Sequence, residues 1–136
     1  MAFAQKLVDA EAQGHFARYI CVLTSGFIEQ AIRVHFGAYA QIHASPELVR
    51  FISKELETFQ NPKVGKVIAL LQKFSEDWAR EVQSGIEGRI GDHIDSIVAR
   101  RHEIAHGKPS GLSLGTATEY LKSAFEFLEV ICSKCA

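Results

Sequence analysis

The sequence predicts an all-α protein, a compact bundle of about five to six helices with a long second helix. Three observations carry that expectation. No segment sustains strand-like alternation, and no Asn-Gly or Asp-Gly turn links two apolar runs. Apolar residues instead recur at three- and four-residue intervals along most of the chain. The prolines fall only at 46, 62 and 109, each where a helix begins or has just ended.

Taken in order, a short helix is expected over about Phe3 to Gln13, stopping near Gly14. The long second helix then runs from about His15 to Ile42. Phe16, Ile20, Leu23, Phe27, Ala31 and Val34 form one apolar stripe, with Tyr19, Ile28, Ile32, Phe36 and Tyr39 beside it. Two adjoining stripes suit a central helix covered by several neighbours. Ser45-Pro46-Glu47 reads as a serine cap, a proline at the first helical position and an acid near the positive dipole end. It opens a third helix to about Phe59. Asn61-Pro62 repeats the cap-plus-proline pattern and opens a fourth to about Phe74. Ser75-Glu76-Asp77 caps a further turn carrying Trp78 and Val82. After the weak stretch around Gly85 and Gly88 comes the penultimate helix, ended by Gly107-Lys108-Pro109-Ser110-Gly111. The last helix starts at Ser113 or at Thr116, where Thr116-x-x-Glu119 has the form of a capping box. Ala117, Leu121, Ala124, Leu128 and Ile131 supply its buried face.

The 136 residues fit one domain, residues 1–136, and no repeat or linker divides them. Apolar residues make up 47% and charged residues 23%, as in ordinary globular proteins. With a net charge of −1, any RNA or DNA contact must use a local cleft, including one assembled by oligomerisation. Three cysteines make no disulfide framework, which points to a reducing cytoplasm. Cys132 and Cys135 form a Cys-x-x-Cys without a second ligand pair, and helix spacing on a core-facing stripe explains them more simply. The first residues lack the pattern of a secretory signal. Nothing approaches the ~18 consecutive apolar residues that a membrane span requires, so no membrane association is expected.

The chemistry concentrates between Ile97 and Gly107. Ile90, Ile94, Ile97, Val98, Ile104 and Ala105 share an apolar stripe, and Arg101 stands near its middle, where a guanidinium requires a specific partner. Arg100 points elsewhere and is expected in solvent. His102 and His106 lie on one flank, with Asp95 projected between them. His102-Glu103-x-x-His106 has the form of a zinc-hydrolase helix, in which Glu103 would activate a metal-bound water. No histidine follows His106 to serve as third ligand, Pro109 stands where the longer metzincin motif needs glycine, and Glu119, Glu126 and Glu129 carry no spacing signature. The zinc reading therefore ranks below a metal-free one.

Arg101-His102-Glu103-Ile104-Ala105-His106 resembles the Arg-x(4–6)-His motif of the HEPN superfamily, including the polar residue directly after the arginine. Thr24-Ser25-Gly26-Phe27-Ile28-Glu29, Asn61-Pro62-Lys63, the cluster of Leu70, Leu71 and Phe74, Trp78 and the Arg100–Gly107 run are similar to the RiboL-PSP-type branch. The resemblance spans residues 15 to 131. It implies an all-α HEPN fold with the motif on the penultimate helix and a metal-independent endoribonuclease of toxin or antiviral type, needing no cofactor. It further implies a homodimer that unites two motifs in one cleft, with an antitoxin or effector-system protein as a further partner. His106 would be general base or acid for attack of the ribose 2′-hydroxyl, Arg101 would hold the phosphate, and His102 would orient it or share the proton transfer. Glu29 is placed to pair with Arg101 or His102, or to form an ordinary interior salt bridge; Asp95 is the other supporting acid. On an ideal helix Arg101 and His106 diverge by about 140°, so they converge only if the helix ends at His106 or the site spans two protomers. Lys108 stands where one subgroup carries a modified tyrosine, so that regulation is not carried over. The alternative within the family is a non-catalytic module binding a nucleotide or a partner.

Overall fold

The computed structural model describes residues 10–108 and 111–136. Six helices occupy the described residues: α1 (Ala10–His43), α2 (Pro46–Glu57), α3 (Val64–Phe74), α4 (Glu76–Gly85), α5 (Arg89–Ala105) and α6 (Leu114–Lys134). No strand occurs among them. No helix among them is long and apolar enough to cross a membrane.

Serine caps set three of the starts as expected. Ser45 Oγ accepts from the Leu48 N–H, Ser75 Oγ from Trp78 and Ser113 Oγ from Thr116. Each satisfies one of the donors that a helix start leaves open. Ser113 is thus the cap of α6, and Thr116 lies inside the helix rather than opening a capping box.

Two expected boundaries are corrected. Helix α1 passes through Gly14 without a break: one glycine weakens a helix by only about 1 kcal/mol relative to alanine, and tertiary packing exceeds that. Most of the expected first helix, Phe3 to Gln13, lies outside the described residues. Asn61 does not cap α3 either. Lys63 is the N-cap and makes no side-chain cap bond; the Val64 N–H is taken at 2.8 Å by Asp95 Oδ1, reaching across from α5.

α1 is the spine. It packs mainly on α6 and also on α2 and α5, while α5 lies against α6 and α3 against α4. Its interior stripe is Ala17, Ile20, Cys21, Ile28, Ile32, Phe36 and Ala40. Phe36 stacks on Phe74 with ring centroids 5.1 Å apart, and Trp78 closes the cluster at 6.0 Å from Phe74. Phe127 and Ile131 fill the α6 side, with Ile94 and Ile97 from α5. Neither expected apolar stripe on α1 is covered whole: Ile20 of the first is buried along with Ile28, Ile32 and Phe36 of the second. Phe16, Tyr19, Leu23, Phe27 and Val34 stay exposed, as does Phe125 on α6, whose ring lies 5.5 Å from that of Phe27.

The contact that seats the motif helix is small but buried. Cys21 Sγ points at the Ile97 carbonyl at 3.7 Å. Burial pushes the Cys21 thiol up to about 11, against the lowering effect of nearby Arg100. A neutral thiol at that spot lets α1 and α5 approach without trapping a charge.

Candidate functional site

The site is built where α5 stops. The last helical residue is Ala105, and His106 is the C-cap with φ −93° and ψ 9°. Gly107 follows at φ +70°, a conformation open to glycine at little cost. The Lys108 N–H then bonds back to the Glu103 carbonyl at 2.9 Å and the Gly107 N–H to Ile104 at 3.1 Å. These are the paired bonds of a Schellman motif, which ends a helix abruptly and satisfies its loose carbonyls. The helix therefore ends at His106. His102 and His106 are both exposed, with ring centroids 4.3 Å apart and planes inclined at 60°.

Arg101 is half-buried, and its Nη1 donates to Asn61 Oδ1 at 3.3 Å. Arg100 is half-buried too, not free in solvent as expected. Its Nη1 lies 3.9 Å from Glu103 Oε2, and both charges act on the buried Cys21. Asp95 is occupied at the start of α3. Glu29 pairs with neither Arg101 nor His102. Its Oε1 lies 3.1 Å from Arg33 Nη2, and its Oε2 accepts the Asn61 N–H at 3.3 Å. Residues four apart on a helix are the nearest partners available, so Arg33 takes Glu29. The acid reaches Arg101 only through Asn61.

Beside the histidines opens a cleft of about 440 Å³, lined by Asn61, Lys63, Val98, Ala99, His102, Glu103 and Lys108. Two lysines and an imidazole face one carboxylate there, a balance that suits an anionic ligand although the chain as a whole is nearly neutral. No three His, Cys, Asp or Glu side chains among the described residues are grouped to hold a metal ion.

A family model described as RiboL-PSP-HEPN matches residues 2–136. The chain belongs to this HEPN family. No match to it was found among curated proteins or among solved structures. The all-α bundle and the placement of the motif on the penultimate helix are those expected of a HEPN domain.

Within this HEPN domain the structure brings His102 and His106 together, sets Arg101 against the α2–α3 loop, and leaves Glu29 and Asp95 one step removed. Asn61, Lys63 and Lys108 belong to the cleft but were not among the residues singled out for it. The signal for Asn61 was present in the sequence. Asparagine is one of the few residues other than glycine that enters the left-handed region readily, and it turns the chain as well as it caps a helix.

Proposed function

We propose that this HEPN domain is a metal-independent endoribonuclease, of the toxin or antiviral-effector kind, acting in the cytoplasm on RNA. The observation that carries the reading is the end of α5. Two exposed imidazoles lie 4.3 Å apart, one turn from an arginine held by hydrogen bonding, beside a cleft lined by two lysines. Those groups can supply what cleavage of a phosphodiester by its own 2′-hydroxyl requires.

His106 takes the proton of the 2′-hydroxyl as the oxygen attacks phosphorus; imidazole exchanges protons readily near neutral pH. Arg101 holds the non-bridging oxygens and stabilises the charge that they gain in the transition state. The bond to the 5′-oxygen breaks, and that oxygen leaves with a proton from a second acid, for which His102 is the nearest exposed candidate. A 2′,3′-cyclic phosphate and a 5′-hydroxyl result, and DNA, lacking the attacking hydroxyl, resists. Glu29 and Asp95 support the site by holding the loop and the helix start that face Arg101. A homodimer joining two such sites is part of the proposal. The uncovered apolar stripe of α1, continued by Phe125, supports it, because exposed apolar patches of this kind mark association faces.

The test is cleavage of a fluorescent RNA oligonucleotide in excess EDTA, with an all-DNA copy as control. The expected result is cyclic-phosphate product from RNA alone. Arg101→Ala and His106→Ala should each lower the rate by roughly 10²–10⁴-fold while sedimentation shows an unchanged assembly. Full activity in either variant overturns the assigned roles. Binding of RNA without cleavage hands the domain to the non-catalytic HEPN reading.

A further inference from the structure

The loop between α2 and α3 is fastened from several sides. Arg33 on α1 donates from Nε to the Leu56 carbonyl at 3.1 Å and from Nη2 to the Phe59 carbonyl at 2.6 Å. Lys66 Nζ donates to the Gln60 carbonyl. Pro62 is buried, and Asp95 takes the Val64 N–H. What this frame presents is Asn61, at φ +53° the one non-glycine among the described residues in the left-handed region. Its N–H goes to Glu29, and its side-chain oxygen accepts from Arg101. Asn61 also lines the cleft. Asparagine adopts this conformation more readily than other non-glycine residues, and here the turn sets its amide against Arg101.

We infer that Asn61 is the positioning residue for Arg101, fixing the guanidinium beside the cleft before a phosphate arrives. The inference rests on the RNA-cleaving reading of the site. A long arginine side chain loses rotamer freedom when it grips a ligand, and a group held in place beforehand has already lost it on folding. A neutral amide suits the task. It accepts one guanidinium N–H and leaves the remaining donors, and the whole positive charge, for the phosphate. A carboxylate in the same place would neutralise Arg101 and compete with the phosphate for it. Glu29 acts one step further back: it is neutralised by Arg33 and touches only the backbone of Asn61.

Three variants separate the side chain from the turn. Asn61→Gly keeps the left-handed turn and removes the amide; Asn61→Asp keeps an acceptor and adds charge; Asn61→Ala disturbs both. The expected result for Asn61→Gly is an unchanged melting temperature with kcat lower by roughly 10- to 100-fold and little change in KM. Asn61→Asp should raise KM, and Asn61→Gly combined with Arg101→Ala should be no slower than Arg101→Ala alone. Full kcat in Asn61→Gly, or losses that add in the double variant, overturns the inference. A second readout is independent of cleavage. The side-chain ¹⁵N–¹H signal of Arg101 should be sharp and slowly exchanging in the wild type, and broadened in Asn61→Gly. Identical signals overturn the positioning role. If the signals differ but the wild type cuts no RNA, the ribonuclease reading fails and the contact between Asn61 and Arg101 stands.

Discussion

Replacing Arg33 by alanine should be among the most damaging single changes outside the apolar core, although no apolar residue is altered. The side chain joins the carbonyl of Leu56 in the last turn of α2, the carbonyl of Phe59 in the loop beyond it and the carboxylate of Glu29, and it also donates to Gln30 Oε1 on its own helix. Leu56 and Phe59 are 4% and 6% exposed, so their carbonyls have poor access to replacement water. A hydrogen bond from a charged donor contributes about 1.5–3 kcal/mol. The pair with Glu29, with side chains 29% and 19% exposed, adds little beyond that. Allowing for the partly wet guanidinium, we expect a loss of about 2–4 kcal/mol. Urea unfolding followed by far-UV circular dichroism measures it. With a slope of about 1.5 kcal/mol per molar, a 3 kcal/mol loss lowers the midpoint by about 2 M. Arg33→Lys should lose about half as much, since one ammonium keeps the charge near Glu29 but cannot span two carbonyls. A loss below about 0.5 kcal/mol in Arg33→Ala, the scale of an ordinary surface change, would refute the idea that this side chain fastens the loop.

Two further outcomes follow from the local geometry. Gly107→Ala forces a Cβ into the left-handed region at φ +70° and should reduce stability by roughly 1–2 kcal/mol. Because the same turn sets His106, RNA cleavage should fall further than stability does; a variant with wild-type rate and melting temperature contradicts the role given to the Schellman turn. The Cys21 thiol, raised by burial to about 11 from an ordinary 9, makes stability depend on alkaline pH. Folding favours the neutral thiol, so its contribution is whole below pH 9 and is lost as pH rises towards 11. Midpoints of urea unfolding should fall across that window, and less steeply in Cys21→Ala; parallel curves would show that the thiol is not involved.

How much of this was legible in the sequence differs from residue to residue. The serine caps at 45, 75 and 113 could be read because their partners are three residues away. The helix stop after the motif could be read from Gly107 for the same reason. Asn61 was placed in the wrong role. Its partners Glu29 and Arg101 lie 32 and 40 positions away, and no local pattern distinguishes an asparagine that caps from one that turns. Of the two roles open to Glu29, a pair with Arg101 or His102 and an ordinary salt bridge, the structure shows the second, with the arginine four residues on along its own helix. The two stripes of α1 were visible as hydrophobic, but hydrophobicity does not say which of their residues the fold covers. Phe36 went inside, stacked on Phe74, and Phe16 stayed out, because the neighbouring helices cover only part of the surface of α1.

The chain order of α1 and α6 has a consequence for how the protein is made. Helix α1 finds its main partner in α6, and about 70 residues separate the end of one from the start of the other. At ribosomal rates of roughly 5–20 residues per second, that interval is about 4–14 s. Throughout it, the face of α1 that α6 covers in the folded protein has no such partner. The nascent chain therefore carries a sticky helix for most of its synthesis. The Arg101–His106 segment emerges before α6, the helix against which α5 packs, so a ribosome stalled ahead of Leu114 holds the motif without its support. Chains truncated ahead of Leu114 lack the packing of α6 on α5, and under the ribonuclease proposal they should not cut RNA.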